Sequence, residues 1–249
     1  MQDFFKNRRT IRKYTDRDIS DELLNELLEA SFRSSNTGNM QLYSVVVTRD
    51  AEMKKKMAPF HFNQPMVTQA PVVLTFCADC NRFVKWCNQR NADPGFDNFQ
   101  SFFTASIDAV IAAQTFCTAA ESVGLGICYL GTVTYLTQPI IDVLKLPEYV
   151  VPVVTLTVGY PDHHPDQPER LPSEAIVHQE TYHDYRPEDI DRLYLEKENR
   201  EANRNYVEEN NKETLAQVFT DIRYTRKNNE TFSESFLDAI KKQGFMKCP

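Results

Sequence analysis

The sequence has little glycine, no internal repeat and no low-complexity tract. Its 249 residues include 7 glycines and 13 prolines. This composition excludes a collagen-like or a disordered chain. The length fits one large domain or two small ones, since about 150 residues per domain is a soft prior. Because 41% of the residues are apolar, a substantial core is expected.

Long hydrophobic runs are also absent. The longest charge-free apolar stretch of interest, residues 109–120, is shorter than the roughly 20 residues that cross a bilayer. The first residues, Met-Gln-Asp-Phe-Phe-Lys, lack the apolar region of a signal peptide. We therefore expect a cytoplasmic protein that does not bind a membrane.

The sequence has fewer positively charged residues than negatively charged ones. The chain has 28 Lys and Arg residues against 35 Asp and Glu residues, which gives a net charge of −7. This sign argues against a surface that binds nucleic acid non-specifically. We expect no nucleic-acid partner, although one local basic segment exists near the N-terminus.

The cysteines lack the dense spacing of a secreted disulfide framework. They are Cys77, Cys80, Cys87, Cys117, Cys128 and Cys248. Cys77 and Cys80 have the spacing of a pair of zinc ligands, but no second Cys or His pair of that kind follows. We interpret this motif as a buried strand end and predict no metal site.

Hydrophobic patterning predicts an α+β fold. Helices are predicted at residues 20–32, 51–58, 99–123 and 138–144, and strands at 42–48, 71–77, 127–130 and 150–158. The helix at 99–123 is apolar nearly all round, which predicts burial in a core or at a subunit interface. Pro152 indicates that the last strand is an edge strand, or that Pro152 lies at its start.

The chain changes character after Gly159. Residues 160–175 contain four prolines and are predicted to form an extended surface loop. Residues 186–243 are predicted to be helical, but they carry many charges and few apolar positions. A helical tail of this kind does not build its own core, so we expect it to pack on another surface, such as that of a partner subunit.

The first segment that carries chemistry is basic. Residues 8–14 read Arg-Arg-Thr-Ile-Arg-Lys-Tyr. Guanidinium groups around a Thr hydroxyl can converge on one phosphate through charge-assisted hydrogen bonds. Taken alone, the segment fits a solvated basic patch or a nucleic-acid contact equally well.

Four further segments are ambiguous when taken singly. Residues 32–41 form a polar loop, Gln64 caps a turn or donates to a heteroaromatic ring, and Arg170 binds an anion or is a surface charge. The glycines of residues 124–132 follow a helix and precede a strand. A dinucleotide-binding turn has the opposite order, so we exclude that interpretation.

In this order and spacing, the segments resemble the FMN-dependent nitroreductase superfamily. The likeness is closest to its larger, NADPH-preferring branch of oxygen-insensitive nitroreductases and FMN reductases. It rests on RRTIRKY, the loop ending in Gln41, Gln64 followed by VVLTFCADCNR, GLGICYLG, VGYP, ERLP and the final KKQGF.

The resemblance implies a nitroreductase-like α+β fold. We expect a small mixed β-sheet surrounded by helices, a long buried central helix and a helical C-terminal extension. Residues 1–175 are expected to form the FMN-binding core, and residues 176–249 an extension that packs on the partner subunit of a homodimer.

The resemblance also implies a set of FMN ligands, and it assigns no catalytic residue and no metal ligand. The implied FMN-binding residues are Arg8, Arg9, Thr10, Arg12, Asn36, Gln64, Tyr129, Leu130, Gly131, Thr132 and Arg170. The residues at 8–12 match phosphate and ribityl ligands, and Arg170 matches a phosphate ligand. Asn36 and Gln64 match contacts with the flavin, and residues 129–132 match backbone that passes along the ring.

The sequence departs from the family pattern at four positions. Pro168 replaces a usual Lys, and Thr132 stands where a second Gly is frequent. Asn39 occupies a position that is commonly aromatic, and Ser233 replaces an Arg. The first two bear on the strength of FMN binding, and the last two on the acceptor and the nicotinamide preference.

The implied activity is FMN-dependent transfer of electrons from NADPH or NADH to small electron-poor acceptors, such as nitroaromatics and quinones. Hydride passes through flavin N5 in a ping-pong sequence, because one site serves donor and acceptor in turn. Two alternatives stay open. They are an NAD(P)H:flavin reductase that supplies free reduced FMN, and a non-catalytic FMN-binding sensor.

Overall fold

The computed structural model describes residues 2–247, without the side chains of Gln2 and Asp3. It divides into two compact units. One unit contains the residues up to Pro165 together with those from Phe232 onwards, and the other is Asp166–Thr231. Cys248 lies outside the described residues. The functional division into residues 1–175 and 176–249 stays a prediction.

The described strands form one four-stranded sheet in the first unit. They are β1 (Tyr43–Thr48), β2 (Val72–Asp79), β3 (Gly126–Leu130) and β4 (Val150–Gly159). The order is β1-β2-β4-β3, and each neighbouring pair is antiparallel. The predicted α+β class is confirmed. The resemblance led us to expect a mixed sheet, whereas the described strands pair only antiparallel.

Eleven α-helices are found within residues 2–247. They are α1 (Gln2–Lys6), α2 (Asp21–Ser31), α3 (Ala51–Met57), α4 (Met66–Gln69), α5 (Asn81–Gln89), α6 (Phe99–Ser122), α7 (Thr137–Leu144), α8 (Pro187–Asn199), α9 (Glu201–Glu209), α10 (Leu215–Gln217) and α11 (Arg226–Lys242). Short helical turns lie at Thr37–Asn39, Ala58–His61, Gly131–Thr134, Ser173–Ala175 and Val218–Arg223.

Local sequence accounts for helix α2. The Ser20 hydroxyl accepts a hydrogen bond from the Leu23 amide at 3.2 Å, which satisfies one free N–H of the first turn. Asp21 follows at the positive end of the helix dipole. Leu24 and Leu27 lie on the buried face, as their spacing predicts.

Helix α6 is longer than the apolar run that we used to exclude a membrane span. By length and composition alone, Phe99–Ser122 is long and apolar enough to cross a membrane. The run at residues 109–120 is thus part of a longer apolar helix, and the expectation that the protein does not bind a membrane stays a prediction. Before that run, residues 99–107 of the helix are Phe, Ile, Ala and uncharged polar residues, and Asp108 separates the two parts.

The two faces of α6 have different surroundings within the first unit. Small residues and Phe116 are fully buried and pack in the main core with Phe76 of β2. A second face exposes four large apolar side chains, which we call the α6 stripe: Phe99, Phe103, Ile107 and Val110. The sequence predicted that α6 is buried on nearly all sides, whereas the described residues bury it on one side only.

Pro152 lies near the start of a central strand, and β4 is not an edge strand. Strand β4 pairs with β2 on one side and with β3 on the other. The pairing with β3 runs from Thr155 to Gly159, so Pro152 is not required to donate to that ladder. It faces Cys77 across a register shift in the pairing with β2.

The last described residues belong to the first unit and pack against its core. The side-chain amide of Gln243 donates to the carbonyl oxygens of Pro147 at 2.7 Å and Val150 at 2.6 Å. Phe245 is 1% exposed and contacts Phe102 and Tyr149. The last part of the predicted extension is thus held by the chain's own core.

Candidate cofactor-binding site

The basic N-terminal segment lies along strand β3. The Ile11 amide donates to the Ile127 carbonyl at 3.1 Å, and the Tyr14 hydroxyl donates to the Ile11 carbonyl at 2.9 Å. The approach requires glycine, because a Cβ built at Gly126 would lie 2.6 Å from Cβ of Ile11. Residues 8–14 are therefore fixed against the edge of the sheet.

Each arginine of this segment has a neighbour in the first unit. Arg8 Nε lies 3.2 Å from Oε1 of Glu121, and Arg9 donates to the Pro165 carbonyl at 3.0 Å. Arg12 lies beside Cys128 and partly offsets the effect of burial, which raises the pKa of that thiol. Arg8 and Arg9 also line a cavity of about 540 Å³ that Glu121 shares.

The polar loop at residues 36–42 is anchored by a carboxylate from helix α6. Oδ1 of Asp108 accepts from the Thr37 amide at 2.9 Å and from the Thr37 hydroxyl at 3.1 Å. Its Oδ2 accepts from the Leu42 amide at 3.4 Å. Within the loop, Oδ1 of Asn36 accepts from the Gln41 amide at 3.2 Å. The predicted ligand Asn36 therefore belongs to a loop that the core holds in shape.

A buried histidine joins two other predicted segments. Nδ1 of His61 lies 2.8 Å from the Thr132 hydroxyl. This contact connects the turn that precedes Gln64 with the end of the 129–132 segment. His61 is fully buried, and burial lowers its pKa to about 4. The ring is therefore neutral at neutral pH.

Several predicted ligands keep free hydrogen-bonding groups. The side chains of Thr10 and Gln64 are half-buried and form no hydrogen bond with another residue of the described chain. Gly131 is exposed, and the space at its Cβ position is open. Leu130 is buried, and the Tyr129 hydroxyl donates to Gln114 at 3.1 Å. A polar cofactor can accept hydrogen bonds from such free donors, which the fixed backbone holds in place.

Arg170 belongs to the second unit, and its predicted convergence with residues 8–12 on one phosphate stays a prediction. Its guanidinium donates to the Glu169 carbonyl at 2.9 Å. The Glu169 carboxylate binds Lys197 at 2.8 Å and Arg200 at 2.9 Å. The hydrogen bond from Lys197 is the main cause that lowers the pKa of Glu169 to about 2. The loop around Arg170 is thus tied to helix α8 and to Arg200 within this unit.

The cysteine pair of β2 is buried. Cys77 and Cys80 are both 0% exposed, and burial raises the pKa of Cys80 to about 12. Among the described side chains, no cluster of three or more His, Cys, Asp and Glu residues is arranged to hold a metal ion. The pair lies at the end of β2, as we interpreted it.

Sequence reasoning did not assign a role to Asp108 or His61. Asp108 had a detectable signal, because a lone carboxylate in an apolar helix needs a hydrogen-bond partner. His61 had none, because its partner Thr132 lies 71 positions away in the chain. Both residues position the predicted ligand segments, and neither is one of the predicted ligands.

The fold and the site together define an α+β protein with a basic segment and two polar loops around a small antiparallel sheet. The profile of the nitroreductase family matches residues 5–160, and the chain belongs to this family. The family prediction is thereby confirmed.

Relatives and solved structures agree with this assignment. An FMN reductase [NAD(P)H] from Bacillus subtilis is 39% identical over 177 residues, which cover 70% of this chain and 71% of that protein. An oxygen-insensitive NADPH nitroreductase from Salmonella typhimurium is 31% identical, covering 70% and 71%. A solved structure from Bacteroides fragilis has 62% identity and a TM-score of 0.96, covering 97% and 98%. The NADPH:FMN oxidoreductase from Vibrio harveyi, complexed with NAD+, has 26% identity and a TM-score of 0.83, covering 99% of both chains.

Proposed function

We propose that this chain is an FMN-dependent oxidoreductase that uses NADPH or NADH to reduce small electron-poor acceptors, such as nitroaromatics and quinones. One observation carries the proposal. The family match spans residues 5–160, and relatives aligned over about 70% of the chain are named reductases of FMN or of nitro compounds. The predicted enzyme class and cofactors agree with these names.

The residues present fit FMN. Residues 8–12 supply three guanidinium groups and a hydroxyl beside β3, which is suitable chemistry for a phosphomonoester. The side-chain amide of Gln64 has no partner among the described residues, so it is free to donate to a heteroaromatic ring. FMN, when bound, supplies the acceptance and donation of hydride.

The remaining tasks belong to the protein. Arg8, Arg9, Thr10 and Arg12 would hold the phosphate and ribityl chain, with Arg170 as a further phosphate ligand. Asn36, Gln64 and the backbone of residues 129–132 would orient the ring. The contact between His61 and Thr132 keeps two of these segments in register. No residue is required as an acid, a base or a nucleophile.

The first experiment tests FMN binding. Arg12→Gln should weaken FMN binding by about tenfold or more, since a charge-assisted hydrogen bond is worth about 1.5–3 kcal/mol. The neighbouring exposed Lys13→Gln is the matched control and should leave the affinity unchanged. Equal affinities for wild type and Arg12→Gln, measured by flavin fluorescence titration, would remove Arg12 from the site.

The second experiment tests electron transfer and separates the alternatives. Anaerobic addition of NADPH or NADH should bleach the bound flavin, and a nitroaromatic or a quinone should restore its colour. If neither nicotinamide bleaches the flavin, the chain is an FMN-binding sensor. If free FMN saturates as a substrate with a higher kcat/KM than nitroaromatics and quinones, the chain is a flavin reductase.

We further propose a homodimer. The α6 stripe exposes four large apolar side chains on one face, and contiguous exposed apolar surface of this kind marks an interaction site. Residues 176–231, with their many charges, are proposed to contact the partner as well. The cytoplasm is the proposed location, with neither nucleic acid nor a membrane as partner.

The oligomeric state tests this proposal. Ile107→Glu, in the middle of the stripe, should convert a dimer into a monomer in sedimentation experiments, because a buried charge without a partner opposes association. Gln100→Glu adds the same charge at an exposed position of the same helix and is the control. A wild-type protein that sediments as a monomer would contradict the proposal.

A further inference from the structure

His61 is a fully buried side chain whose two ring nitrogens have different surroundings. Nδ1 lies 2.8 Å from the hydroxyl oxygen of Thr132. Nε2 is also buried, but it has no hydrogen-bond partner among the described residues. Since burial lowers the pKa of the ring to about 4, the ring is neutral at neutral pH and carries one proton, on one nitrogen or the other.

The unpartnered nitrogen indicates where this proton lies. A proton on Nε2 would bury an N–H group that has no acceptor among the described residues, at the cost of a lost hydrogen bond. A proton on Nδ1 has an acceptor in the Thr132 oxygen and leaves a lone pair of Nε2 unpaired. Orphaned buried donors are rarer in proteins than incompletely paired acceptors, as the backbone shows. This comparison favours the proton on Nδ1.

This tautomer determines what the Thr132 hydroxyl can do. Because its oxygen accepts from His61, the hydroxyl proton is not used in that contact, and it has no acceptor among the described residues. Thr132 is 7% exposed, so water has little access to the hydroxyl. A nearly buried hydroxyl with a spare donor is suited to a ligand that brings an acceptor.

The pair connects two segments that we assign to the flavin ring. Thr132 ends the 129–132 segment, and the His61 carbonyl accepts from the backbone amide of Gln64 at 3.1 Å. His61 therefore contacts both segments, one through its ring and the other through its backbone. Thr132 is also a departure from the family pattern, since a second glycine is frequent there. Glycine has no hydroxyl, so the Thr132 side chain adds a donor at this position.

We propose that Thr132 donates a hydrogen bond from its side chain to the flavin ring, and that His61 is the positioning residue that directs this hydroxyl. The inference rests on the proposed function, and it adds a side-chain ligand to a segment whose backbone we assigned to the ring. Reduced flavin carries more negative charge than oxidised flavin, and a hydrogen bond to a charged acceptor is stronger than one to a neutral acceptor. The pair therefore stabilises the reduced cofactor more than the oxidised one.

The tautomer can be observed directly and without turnover. Nitrogen NMR of protein labelled in its histidine rings distinguishes a proton on Nδ1 from a proton on Nε2, and the signal that is missing in His61→Leu belongs to His61. We expect the Nδ1–H tautomer in the protein with oxidised FMN bound. A proton on Nε2 would overturn the proposal, because the Thr132 hydroxyl would then donate to His61 and not to a ligand.

Removal of the hydroxyl tests its contact with the cofactor. Thr132→Val keeps the shape of the side chain and should raise the Kd for oxidised FMN by roughly fivefold, the effect of one hydrogen bond. Thr132→Ser keeps the hydroxyl and should bind FMN as the wild type does. The control is Thr68→Val, which removes an exposed hydroxyl that donates to the nearby Pro65 carbonyl at 3.2 Å. It should leave the Kd unchanged.

The redox potential supplies a readout that a purely structural role would not change. In Thr132→Val, the Kd for reduced FMN should rise about tenfold more than the Kd for oxidised FMN, which lowers the midpoint potential of the bound cofactor by about 30 mV for a two-electron couple. Thr132→Ser and Thr68→Val should keep the wild-type potential. The potentials are measured by anaerobic spectroscopic titration against a reference dye.

Variants of His61 test the positioning role. Asparagine can place an N–H donor near the position of Nδ1, so His61→Asn should retain the wild-type affinity for FMN. His61→Leu has no donor, and because the Thr132 hydroxyl is then not directed, FMN should bind roughly threefold more weakly. When Thr132→Val is already present, His61→Leu should have no further effect on the Kd, which a double-mutant cycle measures.

The opposite outcomes overturn the proposal in distinguishable ways. If Thr132→Val has the Kd and the potential of the wild type, the hydroxyl does not contact the flavin. If Thr132→Val binds FMN more weakly with an unchanged potential, or if His61→Leu weakens binding further in its presence, the pair is a structural support of the Gln64 turn. A wild-type protein that binds no FMN would instead overturn the proposed function, and NMR of the same protein would still decide the tautomer.

Discussion

Replacement of Asp108 should destabilise the protein far more than its position in a long helix suggests. The carboxylate is 1% exposed and accepts three hydrogen bonds from Thr37 and Leu42, at 2.9, 3.1 and 3.4 Å. Hydrogen bonds to a charged group contribute about 1.5–3 kcal/mol each. The bond at 3.4 Å is long, so we assign little to it.

For Asp108→Ala, the two shorter bonds together give an expected loss of about 3 kcal/mol, at the lower end of that range. Asp108→Asn should lose about half of this, because its amide oxygen still accepts from Thr37 while its NH2 group faces the Leu42 amide. The measurement is urea unfolding followed by circular dichroism. The midpoint should fall while the slope stays constant.

A hydroxyl two residues earlier provides the control. Ser106 is half-buried and donates to the Phe102 carbonyl of its own helix at 2.8 Å, so Ser106→Ala should change the unfolding free energy by less than about 0.5 kcal/mol. If Asp108→Ala is no less stable than Ser106→Ala, the carboxylate does not anchor the loop. The proposed FMN ligand Asn36 would then need another explanation for its placement.

Two further predictions concern the other anchors of the site. Because burial lowers the pKa of His61 from 6.5 to about 4, the unfolded chain binds a proton where the folded chain does not. His61 should therefore lower the free energy of unfolding by up to about 3 kcal/mol as the pH falls from about 6.5 to 4. If His61→Gln shows the same pH dependence of the free energy of unfolding as the wild type, this prediction is refuted. Gly126→Ala should lower stability by about 1–3 kcal/mol through overlap with Ile11, whereas Gly95→Ala, which meets open space, should be near neutral in thermal unfolding.

Much of the fold follows from local sequence. The runs of β-branched residues at 42–48, 71–77 and 150–158 became strands within about two residues of their predicted ends. Strand order could not be predicted, because it depends on long-range pairing that periodicity does not encode. Pro152 illustrates the limit of prediction from sequence, because the sequence allowed it to lie either on an edge strand or at the start of a strand. The pairing of β4 with β3 shows that β4 is not an edge strand.

The site was less predictable than the fold. The segments proposed to bind FMN stood out as motifs, but their anchors did not. Gly126 was noted as part of a glycine pattern, and only the structure shows that Ile11 leaves no room for a Cβ there. The docking of Gln243 and Phe245 on the first unit was missed, because a charged tail gives no hydrophobic pattern that points to its own core.

The anchors lie in the core, whereas the two positions expected to bear on the acceptor lie on the surface, so we expect cofactor binding and acceptor choice to be separable. Asp108 on α6 fixes the 36–42 loop and Gly126 on β3 fixes residues 8–12, while α6 and β3 share one core. Asn39 and Ser233, by contrast, are exposed, so side chains there can change without disturbing that core. Substitutions at the anchors should therefore alter FMN affinity and stability together. Substitutions at the exposed positions should alter acceptor preference while both stay constant.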